Sequence, residues 1–281
     1  MLRLVLVAAL ATTFPIGVDR AAQDSGLDVA LKGLAARTQQ YYDRFISIIC
    51  TETVRQQELR YNLSPIGKPR VTVYELSVAP DPSATGEAEF RVGRTLQSIN
   101  GRPAQKNQEP GCTDPKTGSP EPLGFLLANN QPRYKFSARA DTAGGPPGAH
   151  VIHYVQTPPD RLTITWKGYC FNAEGGGQEG RVWFDPLTYD VLLVEVRLSK
   201  PFLVPPPARS IGPHAAVRVE RSEAMLRFSR VEFHNPEETV LLPESIETLN
   251  VFRGVPSLRI HQTLSNFRRF LTESKIRNSA L

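Results

Sequence analysis

His150 and His153 form the one close histidine pair in this 281-residue chain. Positions three apart on a strand face opposite sides, so both imidazoles cannot easily grip one ion. His234, Glu237 and Glu238 share a short segment after a strand and read as a solvated turn. Asp185 and Asp190 flank a tight turn, where carboxylates bond local backbone amides. Cys50 lies beside Glu52 and just past a helix C-terminus, an environment that disfavours a thiolate. Gly175-Gly176-Gly177 lacks the Lys-Ser/Thr of a phosphate-binding loop, and no Gly-x-Ser-x-Gly elbow is present. No catalytic or metal-ligating residue is therefore assigned, no cofactor is expected, and the chain is read as a non-enzyme.

The elements that would carry these residues change period along the chain. Leu27, Leu31, Leu34, Tyr41, Phe45 and Ile48 recur at spacings of three and four, interrupted at Thr38. This predicts one amphipathic helix over 27–49, with Asp24 and Ser25 as N-cap candidates. After Cys50 the pattern alternates. Residues 51–60 predict an edge or half-exposed strand, and 71–78 a stronger one whose apolar phase switches at Tyr74, as a bulge or burial on both faces would require. Phe90 to Ile99 predicts a strand closed by the hairpin dipeptide Asn100-Gly101. Ser119-Pro120 opens a short helix through Leu127. Strands follow at 134–140, 150–155 and 162–166, and Gly180 to Leu198 reads as a hairpin turning at 185–190. A proline-rich loop at 201–213 precedes strands near 224–228, 246–252 and 258–270. One long helix followed by roughly ten short strands at hairpin spacing implies an α+β, β-dominated fold: a curved antiparallel sheet, an open half-barrel, wrapped over the N-terminal helix.

Residues 1–22 have the order of a secretory signal peptide: Arg3, an uncharged apolar run from Leu4 to Val18, then Ala21 and Ala22. The run is shorter than the roughly 20 apolar residues of a spanning helix. Residues 23–281 are read as a single extracytoplasmic domain, periplasmic or secreted. The composition is ordinary for a globular protein, 40% hydrophobic and 22% charged, with a net charge of +5. Basic residues gather near the end: Arg253, Arg259, Arg268, Arg269, Lys275 and Arg277 against Glu273. This edge could attract anionic lipid headgroups or another polyanion, although such an edge is more often simply a solvated face. Nucleic acid is not expected, since no basic helix or aromatic-basic motif accompanies the export signal.

In an oxidising compartment two of Cys50, Cys112 and Cys170 could pair. Three pairings are open. Cys112 with Cys170 is preferred because both lie in or beside loops, leaving Cys50 as a buried thiol. Leu31, Leu34, Phe45, Trp166, Trp183 and Phe184 could line a ligand cavity or serve as plain core.

Three features resemble the superfamily of LolA/LolB-like periplasmic lipoprotein carriers. They are the order of signal peptide, amphipathic helix and β-meander; the hairpin Gly180-Arg181-Val182-Trp183-Phe184-Asp185-Pro186-Leu187-Thr188-Tyr189-Asp190-Val191-Leu192; and the ending Leu242-Pro243-Glu244-Ser245-Ile246 with Leu264-Ser265-Asn266-Phe267-Arg268-Arg269-Phe270. The segment Ile49-Cys50-Thr51-Glu52-Thr53 is also similar to one in uncharacterised bacterial secreted proteins. The resemblance implies an open β-barrel plugged by helices, with lipid or lipoprotein acyl chains as ligand. The chain departs from the carriers in its cysteines and proline-rich insertions, and their gating arginine has no assigned counterpart here. A ligand-binding protein of this kind predicts a cavity of several hundred Å³ between sheet and helix. The alternative is an interaction module with a filled core that contacts an envelope partner through its basic C-terminal edge.

Overall fold

The computed structural model describes residues 18–44, 48–80, 90–105, 108, 123–138, 144–167, 170–206, 216–234 and 237–269. One helix, α1 (Val18–Arg44), precedes the strands. Among its described side chains Leu34, Ala35, Thr38, Tyr41 and Tyr42 are buried, with Leu27, Ala30 and Leu31 partly buried beside them. The stripe is thus continuous through Thr38, whose small side chain is accommodated within it. The helix begins before the expected caps at Asp24 and Ser25, and it ends at Arg44, short of the predicted Ile49. Ile48 and Ile49 open β1 (Ile48–Leu59), where burial alternates with period two rather than 3.6.

Residues 51–60 were expected to form an edge or half-exposed strand; β1 is interior to the sheet, with buried and half-buried residues alternating over most of its length. It pairs on one side with β2 (Arg70–Pro80) and on the other with β14 (Ser257–Arg269). Its one fully buried polar side chain, Glu52, is tolerated there because it finds partners on β3 and β14. On the far side of β2 lie β3 (Phe90–Ile99) and the two-residue β4 (Arg102–Pro103). Asn100 and Gly101 both take positive φ, 50° and 77°, as their turn demands.

Beyond β14 come β13 (Glu237–Arg253) and β12 (Val217–His234), a hairpin far longer than the two short strands predicted. Next are β10 (Val191–Leu198), β9 (Gln178–Phe184), β6 (His150–Gln156) and β5 (Tyr134–Ala138). Part of the expected proline-rich loop is a strand, β11 (Phe202–Val204), paired with the start of β12. The expected second helix is represented by a single 3₁₀ turn, Gly124–Leu126; residues 119–122 lie outside the described residues. A separate two-stranded ribbon joins β7 (Thr163–Lys167) to β8 (Cys170–Glu174).

The main sheet is antiparallel and open, with β4 and β5 at the ends of its order. Register shifts at Ile49/Thr51, Val73/Tyr74, Val191/Leu193, Val219/Arg221 and Arg227/Phe228 bend and twist it. The extra residue at the shift beside Tyr74 is Gln97 of β3. Strand β2 pairs with β1 without a break and buries Thr72, Tyr74, Leu76 and Val78 in regular alternation, so the expected change of phase at Tyr74 is not a bulge in β2. Val71 and Val73 are half-buried on its other face. The resulting concave side wraps α1 and the 3₁₀ turn, burying Leu34, Tyr41 and Leu126 against Ile48, Val182, Leu226, Leu242 and Ile246. Each fully buried Leu or Ile contributes about 1.5–3 kcal/mol.

Candidate functional site

Cross-strand partners share a face of a sheet, so the register defines rows across the concave side. One row runs Val54, Gln262, Ile246, Leu226, Val194, Val182, Ile152, all buried, the last five within the helix-side core. Two residues farther along each strand, Ile260, Thr248, Ala224 and Val196 form the next row on the same face. Ile260, Ala224 and Val196 are only half-buried. The row beyond, Leu258, Asn250 and Ser222, is half-buried too, and the Ser222 hydroxyl donates to Asn250 Oδ1 at 2.7 Å. At its far end Phe252 meets Phe171 of the ribbon at 6.2 Å, and Phe171 meets Trp166 at 5.6 Å, both edge to face. The concave side is therefore a filled half under α1 and a partly covered stretch between α1 and the aromatic ribbon.

Under α1 a crevice lined by Arg37, Tyr41, Leu123, Val191 and Leu241 holds about 20 Å³. That is room for about one water, against the several hundred Å³ expected between sheet and helix. An open groove of about 550 Å³ lies instead at the far end of the sheet, between the β1–β2 loop and the β13–β14 turn.

Two buried carboxylates hold this arrangement. Glu52, fully buried on the concave face, accepts from Arg94 Nε at 2.7 Å and from Gln262 Nε2 at 3.0 Å. Asp190, also fully buried, binds Arg37 of α1 and Arg230 of β12, the Arg230 Nε at 3.0 Å. Burial pushes the Asp190 carboxyl up, and hydrogen bonds and charge from the two arginines more than offset it, leaving it below the ordinary carboxylate value. The neighbouring Asp185 does what turn aspartates do, accepting from the Leu187 and Thr188 amides, and these bonds lower its pKa. The two aspartates of this turn thus have separate roles, one local and one that clamps the helix to the sheet. Gly33 belongs to the same clamp: a Cβ there would come within 2.6 Å of the Tyr189 ring.

The five described cavity-lining candidates do not converge on one site. Leu34 and Phe184 are in the helix-side core with Leu31 against it, and Trp166 bounds the partly covered stretch. Trp183 belongs to a separate cluster with Ala149, Val151 and Leu193. The Arg181 guanidinium lies 4.6 Å from its ring, and Glu195 pairs with both Arg181 and Arg197. Phe45 lies outside the described residues. His150 pairs with Phe184 and His153 with Arg181, on opposite faces as their spacing requires. Among the described residues no group of three or more His, Cys, Asp and Glu could hold a metal ion.

Cys50 is a free, buried thiol, with burial and then Glu52 pushing its pKa up to about 12. Cys170 is not among the free thiols, and Cys112 lies outside the described residues, so their pairing remains an expectation.

The basic residues near the C-terminus do not form one edge. Arg253 lies at the start of the β13–β14 turn and pairs with Glu220, whereas Arg268 and Arg269 lie at the other end of β14 and pair with Glu75 and Glu238. Lys275 and Arg277 are outside the described residues.

No family model and no curated protein matches the chain. It is similar to the crystal structure of a LolA superfamily protein from Nitrosomonas europaea. The identity is 10%, the match covers 88% of this chain and 96% of that one, and the TM-score is 0.38. A likeness at that level says nothing of function. No helix among the described residues is long and apolar enough to cross a membrane.

Sequence reading missed the Glu52–Arg94–Gln262 and Arg37–Asp190–Arg230 clusters. The usable signal was chemical: an acid at an inward-phased position of an alternating strand, as Glu52 is, requires a partner.

Proposed function

We propose that this chain is a non-enzymatic bacterial envelope protein, exported to the periplasm or beyond, that binds a lipid or lipoprotein acyl chain on the concave side of its sheet. The observation that carries this reading is the change in burial along that face. Apolar side chains are buried where α1 covers them, and half-buried where Ile260, Ala224, Val196 and Leu258 continue the same rows. An apolar chain laid along these rows would gain about 25 cal/mol for each Å² removed from water. The ligand would thus lie between α1 and the Trp166–Phe171–Phe252 cluster, beyond the filled crevice. Export is supported by the order of residues 1–22, which lie mostly outside the described residues.

The test is native mass spectrometry of protein purified from the periplasm, together with titration of a fluorescent apolar probe. Co-purified lipid, and probe binding weakened about ten-fold or more by Ala224→Phe or Val196→Phe at unchanged fold, is the expected result. Bare protein and no probe binding would overturn it. A filled-core interaction module is then the second reading, favoured by the crevice of about 20 Å³ under α1.

A further inference from the structure

We infer that the end of the sheet farthest from α1 is a docking surface for an anionic lipid bilayer, with Tyr61 and Val255 entering the headgroup layer and surrounding cations lying over the phosphates. Pairing of Leu59 with Ser257 sets the β1–β2 loop beside the β13–β14 turn, and the open groove of about 550 Å³ lies between them. Six large apolar side chains are strongly exposed among the described residues, and three are here: Tyr61 at 95%, Leu203 at 56% and Val255 at 43%.

The exposure of Tyr61 is built into its loop. The Arg60 amide donates to Ser64 O and the Leu63 amide to Arg60 O, both at 2.8 Å. Asn62 Oδ1 accepts from the Ser64 amide and hydroxyl, and Gln57 Nε2 donates to Ile66 O at 2.8 Å. The tip is stitched from within, yet its one aromatic ring packs on little of the protein.

The surrounding charge points to a polyanion. Arg218 and Arg253 face each other directly across β12 and β13. Like charges so placed repel, and Glu220 alone bridges both, at 3.1 and 3.0 Å. Arg60 and Lys68 are exposed on the adjoining loop and Arg102 on β4, so five cations stand against Glu58 and Glu220. An aromatic residue with an apolar body and a polar tip, ringed by cations, is the composition that settles at a bilayer interface. A protein partner would instead be met by anchors seated in a central, desolvated pocket. Here Tyr61 and Val255 stand on separate turns and Leu203 on the short strand β11, and a bilayer admits such groups one by one.

The test is flotation of the purified full chain with vesicles of phosphatidylcholine alone or with about 30% phosphatidylglycerol, at about 50 and about 300 mM salt. The chain should float with the anionic vesicles at low salt and be released at high salt. Lys68→Ala and Arg253→Ala should each weaken binding about five-fold, and Tyr61→Ser should weaken it at both salt concentrations. Leu187→Ser, exposed on the β9–β10 turn at the opposite end, should change nothing. The apolar N-terminal residues are common to all variants, so differences between variants are the readout. Equal flotation on neutral vesicles, indifference to the Tyr61 and cation changes, or loss on Leu187→Ser would overturn the proposal. So would retention on immobilised polyglutamate without flotation, which would assign the surface to an acidic protein. These residues are exposed, so circular dichroism and thermal melting should show an unchanged fold. None of these outcomes depends on whether an acyl chain occupies the concave face.

Discussion

Asp185 and Asp190 are five positions apart in one turn and face different physics. Asp190 has its folded pKa depressed by Arg37 and Arg230, and Glu195 has its own depressed by Arg181 and Arg197 after the opposing effect of burial. A depressed carboxylate contributes stability that is complete above its unfolded value and is lost as pH falls through its folded one. Denaturant midpoints should therefore hold steady near neutrality and fall as pH drops below the ordinary values of 3.8 and 4.5. Asp190→Asn should lower stability at pH 7 by about 2–3 kcal/mol and make the acid limb shallower. An acid limb as steep as the parent's would exclude this role. Arg94→Met leaves Glu52 buried without its cation and should cost about 3–5 kcal/mol, most of it regained in Glu52→Leu/Arg94→Met. A double-mutant cycle by urea unfolding reads both. The Cys50 thiol, pushed up to about 12, should resist alkylation at pH 8 until the chain is denatured. Little of this was visible in the sequence. Arg37 is 153 positions from Asp190 and Arg230 is 40, so only the folded topology brings the three together.

At the scale of elements, local patterning was legible wherever hydrogen bonds and burial are local. The β9–β10 hairpin and the Asn100-Gly101 turn could be placed from residue order alone. The errors came where neighbours decide. The period of α1 seemed to run on because Ile48 falls at a helical spacing, yet two successive β-branched residues there begin a strand. The position of β1 in the sheet was hidden because Glu52, Gln56 and Gln57 suggested an exposed edge. Within the concave site, the rows themselves could not be read, since they depend on register between strands remote in sequence. Gly33 gives an element-level prediction. Alanine is favoured over glycine in a helix by about 1 kcal/mol, but its Cβ would strike the Tyr189 ring. Gly33→Ala should therefore destabilise the protein by about 1–3 kcal/mol in thermal melts, and pairing it with Tyr189→Ala should recover part of that loss.

The whole molecule is an open sheet with one half of its concave side occupied by its own helix. The class of fold could be read from one long helix and many hairpin-spaced strands, whereas the filling of the space beneath the helix could not. Volume is a property of packing, and no periodicity reports it. The pairing of β1 with β14 has a temporal consequence. Glu52 and Gln262, which meet at the heart of the sheet, are 210 positions apart, so a ribosome must make nearly all of the chain before the first strand acquires its inner neighbour. Until then β1 and β13 each keep an unpaired flank, a state open to chaperones and to aggregation alike. Such distant closure makes for slow folding. Export in an unfolded state, as proposed above, would benefit from that delay, and refolding from urea should be correspondingly slow, with loss of β14 abolishing it.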